Sequence, residues 1–131
     1  MKLLTNVKFS SADLESLRTI VPELEVVREI DADRAREHFR DSDIFLGFDL
    51  PGPLAEAEHL KWIQLVSAGA EHIIGSGIRE SPVVVTTASG IHARAISEYV
   101  LCSMVMLSRH IPEVLRDGSE RKWRPNKARF Y

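Results

Sequence analysis

Along the first ninety positions, short apolar runs alternate with stretches whose apolar residues keep helical spacing. Lys2 to Phe9 is apolar and β-prone, and Ser10-Ser11-Ala12-Asp13 then supplies an N-cap serine with an acidic residue in the first turn. Leu14, Leu17 and Val21 continue at helical spacing until Pro22 ends the helix. Leu24 to Val27 is short, branched and strand-like, and Ala35 and Phe39, preceded by Asp31 and Asp33, form one face of a second helix. Ile44 to Leu46 predicts a third strand, Gly47 to Pro53 a turn-rich loop and Leu54 to Glu58 a brief helical turn. Trp62 to Val66 and Val83 to Thr86 complete five predicted strands.

Neighbouring parallel strands need crossover connections, and helices serve as those crossovers, so the alternation predicts an α/β domain. The expected architecture is an open parallel five-stranded sheet with helices on both faces, spanning residues 1–90. Ligands of such sheets bind outside the carboxyl ends of the strands. That rule nominates the loops Gly47 to Pro53, Ser67 to Glu71 and Thr87 to His92.

From Ile91 to Leu107 the periodicity changes: apolar residues cover more than one helical face. A helix apolar on nearly all sides is normally buried on nearly all sides. Ile96, Val100, Met104 and Leu107 are expected to pack on the preceding domain, leaving Tyr99, Cys102 and Met106 to meet a second body. A membrane span is disfavoured, because the run falls short of about 20 apolar residues and carries Arg94 and Glu98 near its start. Left without its partner, this helix is expected to self-associate as a symmetric homodimer. The chain is thus divided into a domain over 1–90, one long helix over 91–118 through which copies associate, and a basic linker over 119–131.

Composition adds limits. The 131 residues are 44% hydrophobic and 27% charged with a net charge of −2, which suits a globular domain and supplies no field for nucleic acid or an anionic membrane. A lone cysteine, Cys102, permits no internal disulfide and favours a reducing compartment. With an amino terminus unlike a signal peptide, the expected location is the cytoplasm. The stretch after Gly118, SERKWRPNKARFY, interleaves basic and aromatic residues as single-strand binders do, but reads better as an exposed linker.

Ser67-Ala68-Gly69-Ala70-Glu71-His72 follows the fourth strand. Small side chains there let consecutive backbone N–H groups approach an anion such as a carboxylate; the plainer alternative is that Gly69 supplies a tight turn. Ser89-Gly90-Ile91-His92 opens the long helix, whose first amides and dipole face the same crevice. His92 is a polar contact there or a solvated first-turn residue. Arg94 and Glu98, four apart, are placed to pair along the helix. His38, His59, His72 and His110 show no metal-ligand spacing, so no metal site is expected. Asp43 to Gly52 resembles the phospho-acceptor strand of receiver domains, but the acidic pair and lysine that such magnesium sites need are missing from Thr5 to Ser10 and Thr87 to Gly90.

The order of segments from Leu60 to Arg109 is more specific: a strand, SAGAEHI, a short spacer, VVVTTASGIHA, then AISEYVL opening a long helix. This run resembles the D-isomer-specific 2-hydroxyacid dehydrogenases, and the earlier half, with DADRAREHFRDSDIFLG feeding the third strand, fits the same family. The resemblance implies a flavodoxin-like substrate-binding domain followed by an interdomain helix that contributes to a dimer. It implies an oxidoreductase interconverting D-2-hydroxy acids and 2-keto acids with NAD or NADP. By the same resemblance the backbone around Ala68, Gly69 and Ala70 holds the substrate carboxylate, and Gly47, Phe48, Ile91 and His92 line the cleft. The family's GxGxxG nucleotide loop, substrate-orienting arginine and acid-paired histidine lie beyond the crossing helix. None is expected within these residues, where Gly75 to Gly77 lacks the third glycine. The chain is therefore expected to be truncated before the nucleotide-binding domain, inactive by itself and without bound cofactor. A binding module of the same ancestry that has lost catalysis is the alternative.

Overall fold

The computed structural model describes residues 1–124, which divide into two compact units, Met1–Ser89 and the residues from Gly90 onward. The first unit contains five strands: β1 (Lys2–Thr5), β2 (Glu25–Arg28), β3 (Ile44–Gly47), β4 (Trp62–Leu65) and β5 (Val84–Thr86). All pair in parallel in the order β2-β1-β3-β4-β5. That is the flavodoxin-like order, with its switch point between β1 and β3. Each of the five predicted strands is present.

The crossovers β1 to β2 and β2 to β3 are α1 (Ser11–Ile20) and α2 (Ala32–Arg40). α1 begins with a capping box: the Asp13 amide donates to Ser10 Oγ at 3.2 Å, and the Ser10 amide donates to Asp13 Oδ2 at 2.8 Å. Asp31 caps α2 by accepting from the Arg34 amide at 3.0 Å. The next two crossovers depart from the expected alternation, holding only 3-10 turns at Leu54–Glu56, Glu71–Ser76 and Ile78–Glu80. Pro51, Gly52 and Pro53 interrupt the first, and Gly77, left-handed at φ 84°, separates the last two turns.

The core lies on one face of the sheet. Leu4, Phe45, Ile63 and Leu65 point toward Phe39 of α2, and all five are at most 1% exposed. Phe39 meets Phe45 edge-on, with ring centroids 5.8 Å apart. The opposite face carries Leu3, Ile44, Leu46 and Trp62 toward α1, with a groove of about 350 Å3 left between them.

In the second unit, α3 (Ala93–Ser108) is followed by α4 (Ile111–Ser119). Gly90 takes φ 93° at the turn into α3. Arg94 Nε donates to Glu98 Oε1 at 2.9 Å, the pairing their spacing predicts. α3 has no buried residue. Ile96, Val100, Met104 and Leu107, expected on a packed face, are exposed, as are Tyr99 and Cys102. Hydrophobic spacing reports which side of a helix is apolar, and α3 is apolar on several sides, so spacing alone does not choose a packed one. The expected basic linker over 119–131 begins within α4 at Ser119, and its residues 125–131 lie outside the described ones. Among the described residues no helix is long and apolar enough to cross a membrane.

Candidate functional site

Two loops meet at the carboxyl ends of β3 and β4. The Val66 amide donates to Gly47 O at 3.0 Å, extending the β3–β4 pairing one residue past the end of β4. Beyond it the His72 ring stacks on Phe48, centroids 4.3 Å apart and planes 8° off parallel. His72 Nε2 lies 2.8 Å from the Phe48 carbonyl oxygen, an acceptor only, so Nε2 carries the proton. Gly47 and Phe48 are thereby tied to the turn that contains Ala68, Gly69 and Ala70. The segment after β5 joins them, since the Ala88 amide donates to Ser67 O at 2.8 Å.

The Ser67–Ala70 turn is closed by its first side chain, Ser67 Oγ donating to Gly69 O at 2.7 Å. No residue in it has a positive φ. Gly69 therefore does not serve a left-handed turn, and the turn is not the alternating kind that forms a concave nest of amides. Even so, among the described residues the N–H groups of Ala68, Gly69 and Ala70 donate to no protein acceptor. These are three consecutive donors without a protein acceptor, with only methyl-sized side chains between Ser67 and Glu71, whose carboxylate lies against Gly69.

Space explains the two loop glycines. A Cβ on Gly47 would stand in contact with the Phe45 ring, 3.1 Å from Cε1, and 3.2 Å from Asn6 Oδ1. A Cβ on Gly69 would meet the carboxylate of Glu71, 2.6 Å from Oε1. The first neighbour is locked in the core, whereas the second is the free end of an exposed side chain.

Ile91 and His92, the other expected cleft residues, belong to the second unit. Both are exposed, and His92 precedes α3 without a side-chain cap bond. Sequence reasoning missed a second depression, a crevice of about 230 Å3 at the β1–β3 switch point, whose polar lining includes Thr5, Asn6, Glu29 and Asp49. Hydrogen bonds from the Asp31 and Ile30 amides to Glu29 hold its carboxyl below the usual range. The Gly47 to Pro53 loop along one side of it was nominated from the sequence, but only the strand order sets Asn6 and Glu29 against that loop. Among the described residues, no three His, Cys, Asp or Glu side chains gather as metal ligands.

No protein-family model matches the chain, and no curated protein does either. Solved structures do. A phosphoglycerate dehydrogenase from Lactobacillus plantarum is 25% identical, over 95% of this chain and 41% of its own length, with a TM-score of 0.53. A D-isomer specific 2-hydroxyacid dehydrogenase family protein from Aeromonas salmonicida is 23% identical over 94% of this chain and 40% of its own, with a TM-score of 0.72. An NAD-dependent formate dehydrogenase from Staphylococcus aureus, solved with NAD, is 16% identical over 98% and 44%, with a TM-score of 0.60. The resemblance to D-isomer-specific 2-hydroxyacid dehydrogenases is thus borne out at the level of the fold. The chain spans about two fifths of the length of these structures.

Proposed function

We propose that this chain is the substrate-binding part of an NAD(P)-dependent oxidoreductase that interconverts D-2-hydroxy acids and 2-keto acids. The observation that carries the reading is the run of unpaired amides at Ala68, Gly69 and Ala70, set at the carboxyl ends of a sheet whose fold those dehydrogenases share. In this reading the amides donate hydrogen bonds to the substrate carboxylate. Gly47 and Phe48, fixed by His72, form one wall of the cleft. The NAD or NADP nicotinamide would supply or accept the hydride.

These 131 residues by themselves should turn over no 2-keto acid. Hydride transfer requires the nicotinamide and the carbonyl carbon to be held roughly 3–3.5 Å apart, and the sequence contains no GxGxxG loop to hold a dinucleotide. The exposed α3 residues, Tyr99, Leu101, Val105 and Leu107 among them, support association through the helix over 91–107 as a homodimer.

The test compares NADH and NADPH oxidation across a panel of 2-keto acids for the 131-residue chain and for the coding region read on past Tyr131. Turnover only by a longer product that contains a GxGxxG domain is the expected result. Turnover by the 131 residues would overturn the assignment of roles. A coding region with no such domain would favour the non-catalytic binding module, because the glycine loop is what hydride chemistry requires of the rest of the protein.

A further inference from the structure

The charge around the unpaired amides is one-sided. The Glu71 carboxylate lies against Gly69, close enough that its Cδ would stand 2.7 Å from a Cβ built there. Among the described residues it makes no hydrogen bond or ion pair, and neither does Asp49 in the adjoining loop. Both side chains are exposed. Over residues 47–53 and 67–72 the single basic side chain is His72, and its ring is held on Phe48 with Nε2 turned to the Phe48 carbonyl. In the first unit the carboxylates that do have a cation nearby lie elsewhere: Asp41 and Asp43 pair with Lys2 and Lys61 at the amino ends of the strands, and Glu56 with Arg36 and Arg40.

We infer that Glu71, helped by Asp49 in the adjoining loop, selects 2-keto acids by the charge of their side chain, admitting neutral or cationic ones and disfavouring those with a second acidic group. The inference rests on the proposal that the Ala68, Gly69 and Ala70 amides hold the substrate carboxylate. A ligand anchored there carries any side-chain charge within screening distance of the Glu71 carboxylate, which has no ion-pair partner among the described residues. In water two unit charges about 4 Å apart differ in affinity by roughly fivefold for attraction or repulsion. Salt removes much of this, since screening acts over about 10 Å at 0.1 M.

The test uses the 131-residue chain, labelled with nitrogen-15, at low ionic strength. Pyruvate, 2-oxoglutarate and 5-guanidino-2-oxopentanoate are titrated while the amide resonances of Ala68, Gly69 and Ala70 are followed, in the native sequence, Glu71→Gln and Asp49→Asn. The expected order of affinity is guanidino acid, pyruvate, 2-oxoglutarate, with about fivefold between successive ligands. Glu71→Gln should shrink both steps, tightening 2-oxoglutarate more than pyruvate and weakening the guanidino acid; Asp49→Asn should do so to a smaller extent. If the three ligands shift these amides with equal affinity, or Glu71→Gln moves all three alike, charge selection by Glu71 is wrong while carboxylate binding stands. If no ligand shifts them in any of the proteins, the carboxylate site itself is wrong and the inference goes with it.

Discussion

The two faces of the sheet are built from the same strands and solve burial differently. Phe45, Ile63 and Leu65 on one face are closed over by α2, and their neighbours on the other, Ile44 and Leu46, are only half-buried while Trp62 is 39% exposed. The closed face is apolar at its centre, with Lys2 and Glu25 only at the amino ends of β1 and β2. The open one carries a hydrogen-bonded row instead: Trp62 Nε1 donates to Thr86 Oγ1 at 2.7 Å, which donates to Gln64 Oε1 at 2.6 Å. The helices differ in the same way. α2 buries Ala35 and Phe39, whereas α1 buries no residue and relies on its capping box and the half-buried Leu14 and Leu17. Alternation along a strand therefore does not say how deeply each side is buried. That is decided by what crosses over it.

Truncation on the closed face should give the largest effect. Phe45→Ala removes a ring from a filled core and should cost about 3–5 kcal/mol, enough to unfold a marginal domain. Leu17→Ala, opposite the open groove, should cost about 1 kcal/mol, since only part of its area leaves water. Equal losses in chemical denaturation would erase the distinction between the faces.

The loop glycines sharpen it. At Gly47 the added methyl must displace the Phe45 ring, which is 1% exposed, so Gly47→Ala should cost about 1–3 kcal/mol as overpacking does. At Gly69 the obstacle is the end of a solvated side chain, so Gly69→Ala should stay within about 0.5 kcal/mol. Because the fold is spared, a change in anion binding by Gly69→Ala is not a folding effect, although the added methyl also moves the Glu71 carboxylate. Thermal midpoints that fall equally for both would mean that the two sites do not differ in packing.

A third, smaller difference lies in the helices. Ser10→Ala removes the Oγ that accepts from the Asp13 amide, and should cost about 1 kcal/mol. The loss should concentrate in α1, where no buried side chain compensates, and appear as faster amide exchange over Ser11–Ile20 with α2 unchanged. Uniform acceleration across both helices would count against local capping as α1's main support.

How much could be read from the sequence follows the same division. The five strands and both helices were legible because their apolar periods and caps are local: Ser10 with Asp13, and Ala35 with Phe39, lie within one turn of each other. The candidate site was legible only in part. Small residues at Ala68, Gly69 and Ala70 marked a turn with accessible amides, but its backbone has no left-handed residue, and the ring of His72 on Phe48 joins residues 24 apart. Pairings of that range leave no periodic trace, and neither does the switch-point crevice of Asn6, Glu29 and Asp49. Nor could a packed face of α3 be read, because an all-round apolar helix satisfies many registers equally, and none of its residues is buried.

The smallest predicted effect concerns acid. On the closed side, Glu56 from the β3–β4 crossover bridges Arg36 and Arg40 of α2, with Arg40 Nη2 at 3.1 Å. Hydrogen bonds from the Arg36 and Arg40 guanidiniums hold the Glu56 carboxyl down to about 2 from an ordinary 4.5. A carboxyl whose pKa is lower folded than unfolded adds stability above the unfolded value and loses it as pH falls through the folded one. The bridge should therefore contribute fully above pH 4.5 and fade toward pH 2. The three groups are partly exposed, so the contribution is small and screened by salt. Glu56→Gln should leave a slightly lower stability at pH 7 and a flatter decline between pH 4.5 and 2. Asp41 and Asp43 are also held low, by hydrogen bonds from Lys2 and Lys61, so both proteins will still lose stability in acid. The difference between their curves is what isolates Glu56. If urea midpoints of the native protein and Glu56→Gln run parallel through that window, the bridge contributes nothing to the fold, and the closed face is held by its core alone.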